Sequence, residues 1–137
     1  MSAMEWQSTP LSPGPATAIE PAPLTVERLG ERLGVVTAPP VLDERAARAF
    51  GRIALTACDD GVRELVLDLT GVRRHAWPAI YALCELEAHL SEACCEPVAA
   101  AAHPLLVQDL RAVGLDRAWA LMPTRESALA DLLGRAF

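Results

Sequence analysis

The sequence predicts an α/β domain built on a mixed, mainly parallel sheet of about five strands, with about four helices laid against it. Three observations carry this. Short β-prone runs alternate with longer stretches at helical spacing. The run Leu65-Val66-Leu67 is apolar at consecutive positions, as a strand covered on both faces must be. Each long stretch is framed by its own start and stop residues, such as Asp43, Pro78, Pro104 and Gly114.

Taken in order, residues 1–23 hold Pro10, Pro13, Pro15, Pro21 and Pro23 among Ser, Thr and Ala, which removes backbone donors and builds no periodic apolar face. This segment reads as a disordered Pro-rich arm, with Trp6 either a docking residue or an incidental apolar one. The domain runs over residues 24–137. Leu24 to Leu29 and Gly34 to Ala38 form a hairpin turning near Gly30 and Glu31. Pro39 and Pro40 end its second strand. Asp43 caps a helix with Ala46, Ala47, Phe50, Ile53, Ala54 and Ala57 on one face and Arg45, Arg48 and Arg52 toward solvent.

Asp59, Asp60 and Gly61 turn the chain into the central strand, Arg63 to Leu69. A helix from Ala79 to Ala93 follows, opened by Pro78, whose missing donor is harmless in a first turn. Val98 to Ala102 is a small-residue strand. Pro104 opens a helix over Leu105 to Val113 that stops at Gly114, where a left-handed cap residue is wanted. Trp119 to Met122 is the last strand, and Thr124 starts the last helix, with Ser127 in the position a capping box gives to Glu or Gln. The order is ββαβαβαβα, and right-handed crossovers onto a parallel sheet follow from it.

Composition narrows the function. A chain of 137 residues buries one core without metals or staples. Its formal net charge of -6 repels the phosphate backbone, so nucleic acid is not an expected partner. Charged residues interrupt every apolar stretch before the roughly 18 residues a membrane helix needs. Cys58, Cys84, Cys94 and Cys95 show no CxxC spacing and no secretion signal precedes them, which fits reduced thiols in the cytoplasm.

The run Leu65-Val66-Leu67-Asp68-Leu69-Thr70-Gly71-Val72 resembles the strand and turn that STAS domains, the fold of the bacterial anti-sigma factor antagonists, write as a hydrophobic run followed by Asp-Leu-Ser-Gly-Val. Val107 to Leu115, with its Gly114-Leu115 pair, and Pro123 to Leu129 resemble the family's later helix and its closing strand-to-helix junction. The similarity covers Leu24 to Phe137. The resemblance implies a STAS-like domain over 24–137 that regulates transcription by binding proteins. The implied partner is an anti-sigma factor of the kinase-like ATPase fold, or another STAS protein, with homodimerisation left open. It implies no cofactor.

Where the family places an Asp-Ser-Ser-Gly-Leu loop, whose first Ser is phosphorylated by the partner kinase, this chain has Ala76-Trp77-Pro78-Ala79-Ile80. Trp77 stands at the phosphoacceptor position. With no hydroxyl there and no carboxylate at Ala76, the resemblance implies that the usual switch is absent. The partner-facing residues are then Arg73, Arg74, His75, Ala76, Trp77 and Pro78. Trp77 is open to two readings, an exposed anchor or a ring folded back on the sheet edge. Thr70 is the remaining candidate acceptor, although a strand-end Thr commonly bonds its own backbone. Asp43 is read as a cap or as a fixed negative charge in place of a phosphate.

No catalytic residues and no metal ligands are expected. His75, His89 and His103 are scattered, and no HExxH, P-loop, GxGxxG or Gly-x-Ser-x-Gly occurs. Cys94-Cys95 lies between Glu92 and Glu96, whose carboxylates disfavour a thiolate. The competing function is a small-ligand or assembly module unrelated to sigma regulation, in which Trp77 and the arginines line a pocket.

Overall fold

The computed structural model describes residues 24–135. The expected arm and its Trp6 lie outside the described residues, as do Ala136 and Phe137. The elements are β1 (Val26–Arg28), β2 (Leu33–Thr37), β3 (Val41–Leu42), α1 (Glu44–Asp59), β4 (Glu64–Asp68), β5 (Arg74–His75), α2 (Trp77–Glu92), β6 (Glu96–Ala100), α3 (Pro104–Ala112), α4 (Leu115–Ala118), β7 (Ala120–Met122) and α5 (Arg125–Arg135). The main sheet has the order β1-β2-β4-β6-β7, with β1 antiparallel to β2 and every other pair parallel. The expected hairpin, the central position of β4 and the mixed, mainly parallel sheet are all present.

Alternation along the strands divides the interior. Val36, Leu65, Leu67 and Ala99 point to one face, where they meet Phe50 and Ala54 of α1, Ile80, Leu83 and Leu90 of α2, and Leu106 and Leu110 of α3. Val35, Val66, Val98 and Ala100 point to the other, where Ala128 and Leu132 of α5 cover them. The single core expected from chain length is therefore two apolar layers, because the hydrogen-bonded sheet between them has side chains on both faces. Burial on both sides is what makes Leu65-Val66-Leu67 continuously apolar.

Local signals fix the helix ends. Asp43 Oδ1 accepts from the Ala46 N–H at 2.8 Å, the N-cap expected for α1. Replacing Asp43 by alanine should lower stability by about 1 kcal/mol, read as a lower urea midpoint with an unchanged m-value. Gly114 adopts φ 84, so a side chain there would be strained, and it turns the chain from α3 into α4. Thr124 and Ser127 form a reciprocal cap: Ser127 N–H donates to Thr124 Oγ1 at 3.0 Å and Thr124 N–H donates to Ser127 Oγ at 3.2 Å. Serine thus fills the role usually held by Glu or Gln.

Three elements differ from expectation. The residues before α1 and those after β4 contribute the two-residue strands β3 and β5, which pair parallel as a small second sheet. The chain after Gly114 makes one helical turn, α4, and Trp119 caps that turn instead of opening the last strand. Helix α2 starts at Trp77, two residues earlier than its apolar face begins.

Candidate functional site

The site begins at the carboxyl end of β4. The Asp68 carboxylate accepts from the Thr70 N–H at 3.0 Å and from the Thr70 hydroxyl at 2.6 Å, and Val72 N–H closes a turn onto the Leu69 carbonyl at 3.1 Å. Thr70 therefore bonds the Asp68 side chain as its hydroxyl acceptor, in place of the backbone contact expected of it. The chain then zips onto the segment ahead of α1. Arg73 N–H donates to the Pro40 carbonyl at 2.7 Å, Val41 and Leu42 pair with Arg74 and His75, and Ala76 N–H donates to the Leu42 carbonyl at 3.2 Å. This ladder presents the loop as an ordered ledge leading into α2.

His75 turns inward from that ledge. Its Nε2 lies 2.6 Å from Asp109 Oδ2 of α3, and the imidazole is only 10 % exposed. It pins the ledge to α3, and of the six residues expected to face a partner it is the least accessible. Arg73, Arg74, Ala76 and Pro78 are exposed. Neither arginine makes an ion pair among the described residues.

Trp77 is 48 % exposed, so its ring stands out from the surface and is not folded back onto the sheet. Tyr81, one helical turn on and 62 % exposed, lies beside it, with ring centroids 6.1 Å apart and planes inclined by 31°. The spacing i, i+4 puts both rings on one stripe of α2, within the range of favourable aromatic contact. Sequence reasoning missed Tyr81 by reading it as part of an apolar helix. The signal was available, since Tyr81 sits off the buried rows of Ile80, Leu83 and Leu90 and in line with Trp77. Ala76, the N-cap of α2, offers no side-chain acceptor, so the first turn lacks a capping side chain.

The thiols differ from expectation in cause. Burial pushes the Cys95 thiol well up, the neighbouring Cys58 thiol adds to it, and the Glu96 carboxylate makes the smallest contribution. Burial also raises the Cys84 thiol, with Glu85 adding to it. Among the described residues no three His, Cys, Asp or Glu side chains converge to hold a metal ion. No helix among them is long and apolar enough to cross a membrane. Asp43 lines a depression of about 500 Å3 with Glu44, Arg45, Arg48 and Arg52 on the outer side of α1.

The architecture matches solved structures. A crystal structure of an anti-sigma factor antagonist from Mycobacterium paratuberculosis superposes with a TM-score of 0.66 at 23 % identity, over 79 % of this chain and 91 % of that one. The unphosphorylated anti-sigma factor antagonist SpoIIAA gives a TM-score of 0.67 at 16 % identity, over 81 % and 96 %. The STAS domain of a SulP transporter from Vibrio cholerae gives 0.64 at 21 % identity, over 80 % and 87 %. No protein-family model matches the sequence, and no curated protein does. The likeness establishes the fold: a STAS fold, with a five-stranded, mainly parallel sheet and five helices among the described residues.

Proposed function

We propose that this chain is a non-catalytic protein-interaction module of the anti-sigma factor antagonist kind. It binds a kinase-like anti-sigma factor, or another STAS protein, in the cytoplasm through β5 and the first turns of α2. The observation that carries the reading is the Trp77 and Tyr81 pair, two large rings held in water on the first turns of one helix. Holding so much aromatic surface in solvent is unfavourable unless a partner covers it, and aromatic residues with arginine are the side chains that most often anchor interfaces. Arg73 and Arg74 beside them, in a chain of net charge -6, suit an acidic patch on the partner.

Fold likeness supports the same reading. One structural neighbour, SpoIIAA, is known in unphosphorylated and phosphorylated forms. In this chain Ala76, Trp77, Pro78 and Ala79 carry no hydroxyl, so the proposed module binds without the serine switch. Regulation then acts through partner abundance or another residue.

The experiment is capture of partners from the native cytoplasm by the wild-type chain and by Trp77→Ala, followed by affinity measurement with the captured protein. Loss of an aromatic anchor costs about 2 kcal/mol, so Kd should rise about 30-fold. A variant that retains the same partners at the same affinity overturns the reading. Incubation of the captured kinase and ATP with the wild-type chain should leave residues 76–79 free of phosphate.

A further inference from the structure

We propose that Cys58 and Cys95 form a disulfide when the folded protein meets a peroxide, making them a modification site at the end of the sheet opposite Trp77. Cys58 lies in the last turn of α1, and Cys95 is the residue before β6. Arg63 joins the two. Its guanidinium donates to the Cys58 carbonyl at 2.9 Å, while its own carbonyl accepts from the Glu96 N–H at 2.9 Å, so the chain at Cys58 and the chain at Cys95 flank one residue. Both side chains are buried in one apolar cluster, where the Cys58 thiol is near enough to help raise Cys95.

Cys95 has a way out. It forms part of the wall of an open cavity of about 400 Å3 bounded by Glu87, Ser91, Pro97 and Arg117, a space with room for a peroxide molecule beside this residue. Its neighbour Cys94 is exposed, in the left-handed conformation at φ 57, and lies outside the buried cluster that holds the pair. Cys58 and Cys95 are 3 % and 5 % exposed and share one buried cluster, which shields an oxidised sulfur at either position from thiols in solution and leaves the other as its neighbouring thiol.

The chemistry balances with hydrogen peroxide as oxidant. The Cys95 thiolate attacks one peroxide oxygen, the O–O bond breaks, and hydroxide leaves and is protonated to water, giving a sulfenic acid. The Cys58 sulfur then attacks the Cys95 sulfur, the S–O bond breaks, and a second water leaves with the Cys58 proton. Two thiols are oxidised and one peroxide is reduced. Burial holds most of Cys95 in the thiol form at neutral pH, which makes the first step slow, whereas the exposed Cys94 reacts independently.

The inference does not depend on the partner-binding reading and is tested on the full chain. Reduced protein is treated with hydrogen peroxide, alkylated, digested without reductant and mapped by mass spectrometry, alongside Cys58→Ser, Cys95→Ser and Cys94→Ser. The wild type and Cys94→Ser should yield a linked Cys58–Cys95 peptide that reductant removes. Cys58→Ser should instead trap a sulfenic acid at Cys95, captured by dimedone. Closing the loop around β4, β5 and α2 should raise the melting temperature of the wild type by roughly 5 to 10 °C, reversibly. The mapping on the wild type stands whether or not the variants fold. Cys58 and Cys95 that stay free through prolonged exposure to excess peroxide, long after Cys94 is fully modified, or a link that includes Cys94, overturn the proposal.

Discussion

Replacing Trp119 by alanine is expected to lower folding stability by about 4 kcal/mol, and the melting temperature by roughly 15 °C. Trp119 is fully buried and is the largest such side chain in the domain. It caps α4, leads into β7 and packs into the layer that also holds α2. Its indole N–H donates to Glu87 Oε1 of α2 at 2.8 Å. The substitution therefore removes the ring area, leaves a cavity that the short α4 cannot collapse to fill, and strips a half-buried carboxylate of its donor. Trp119→Phe separates these effects: it keeps most of the apolar contact and deletes only the N–H, for a loss of about 1 to 2 kcal/mol. Urea unfolding followed by far-UV circular dichroism measures both. A Trp119→Ala variant within 1 kcal/mol of wild type, roughly the cost of a surface change, means the ring is not buried as described.

Much of this architecture is legible in the chain because its causes are local. Gly114 is readable because a left-handed cap favours glycine, and Thr124 with Ser127 because the two hydroxyls are three residues apart. Leu65 to Leu67 announce a strand with two covered faces. Other features depend on pairings between distant segments. Strands β3 and β5 are two residues each, too short for any period, and exist because Val41-Leu42 and Arg74-His75 meet across the whole of α1 and β4. The contact between His75 and Asp109 is equally non-local. Trp119 looked like the start of a strand because aromatic residues favour sheets, but the turn at Gly114 wins and winds one helical turn first. At the site, the loop bounded by Arg73 and Pro78 was legible, while Tyr81 needed the helix phase counted from Trp77 and not from Ala79.

Asp68→Ala is expected to cost about 2 to 3 kcal/mol, because it leaves partners of a buried carboxylate unpaired. Asp68 is 5 % exposed at the carboxyl end of the central strand. One oxygen accepts both the N–H and the hydroxyl of Thr70, and the other lies 3.9 Å from Arg125 Nη1, an arginine that also pairs with Glu27 of β1. Removing the carboxylate frees the turn that launches β5 and Trp77, and it leaves Arg125 with Glu27 alone at the start of α5. Asp68→Asn keeps an acceptor for Thr70 and loses the charge, so its cost should be nearer 1 kcal/mol. The same geometry bears on Thr70 as a phosphoacceptor. A kinase would have to pull the hydroxyl off a carboxylate 2.6 Å away, and the phosphate would then face that negative charge at close range. Incubation with ATP and the captured partner kinase should therefore leave Thr70 unmodified, and Thr70→Val should bind the partner as the wild type does. Phosphate found on Thr70 by peptide mapping would show that the turn opens far more readily than its hydrogen bonds imply.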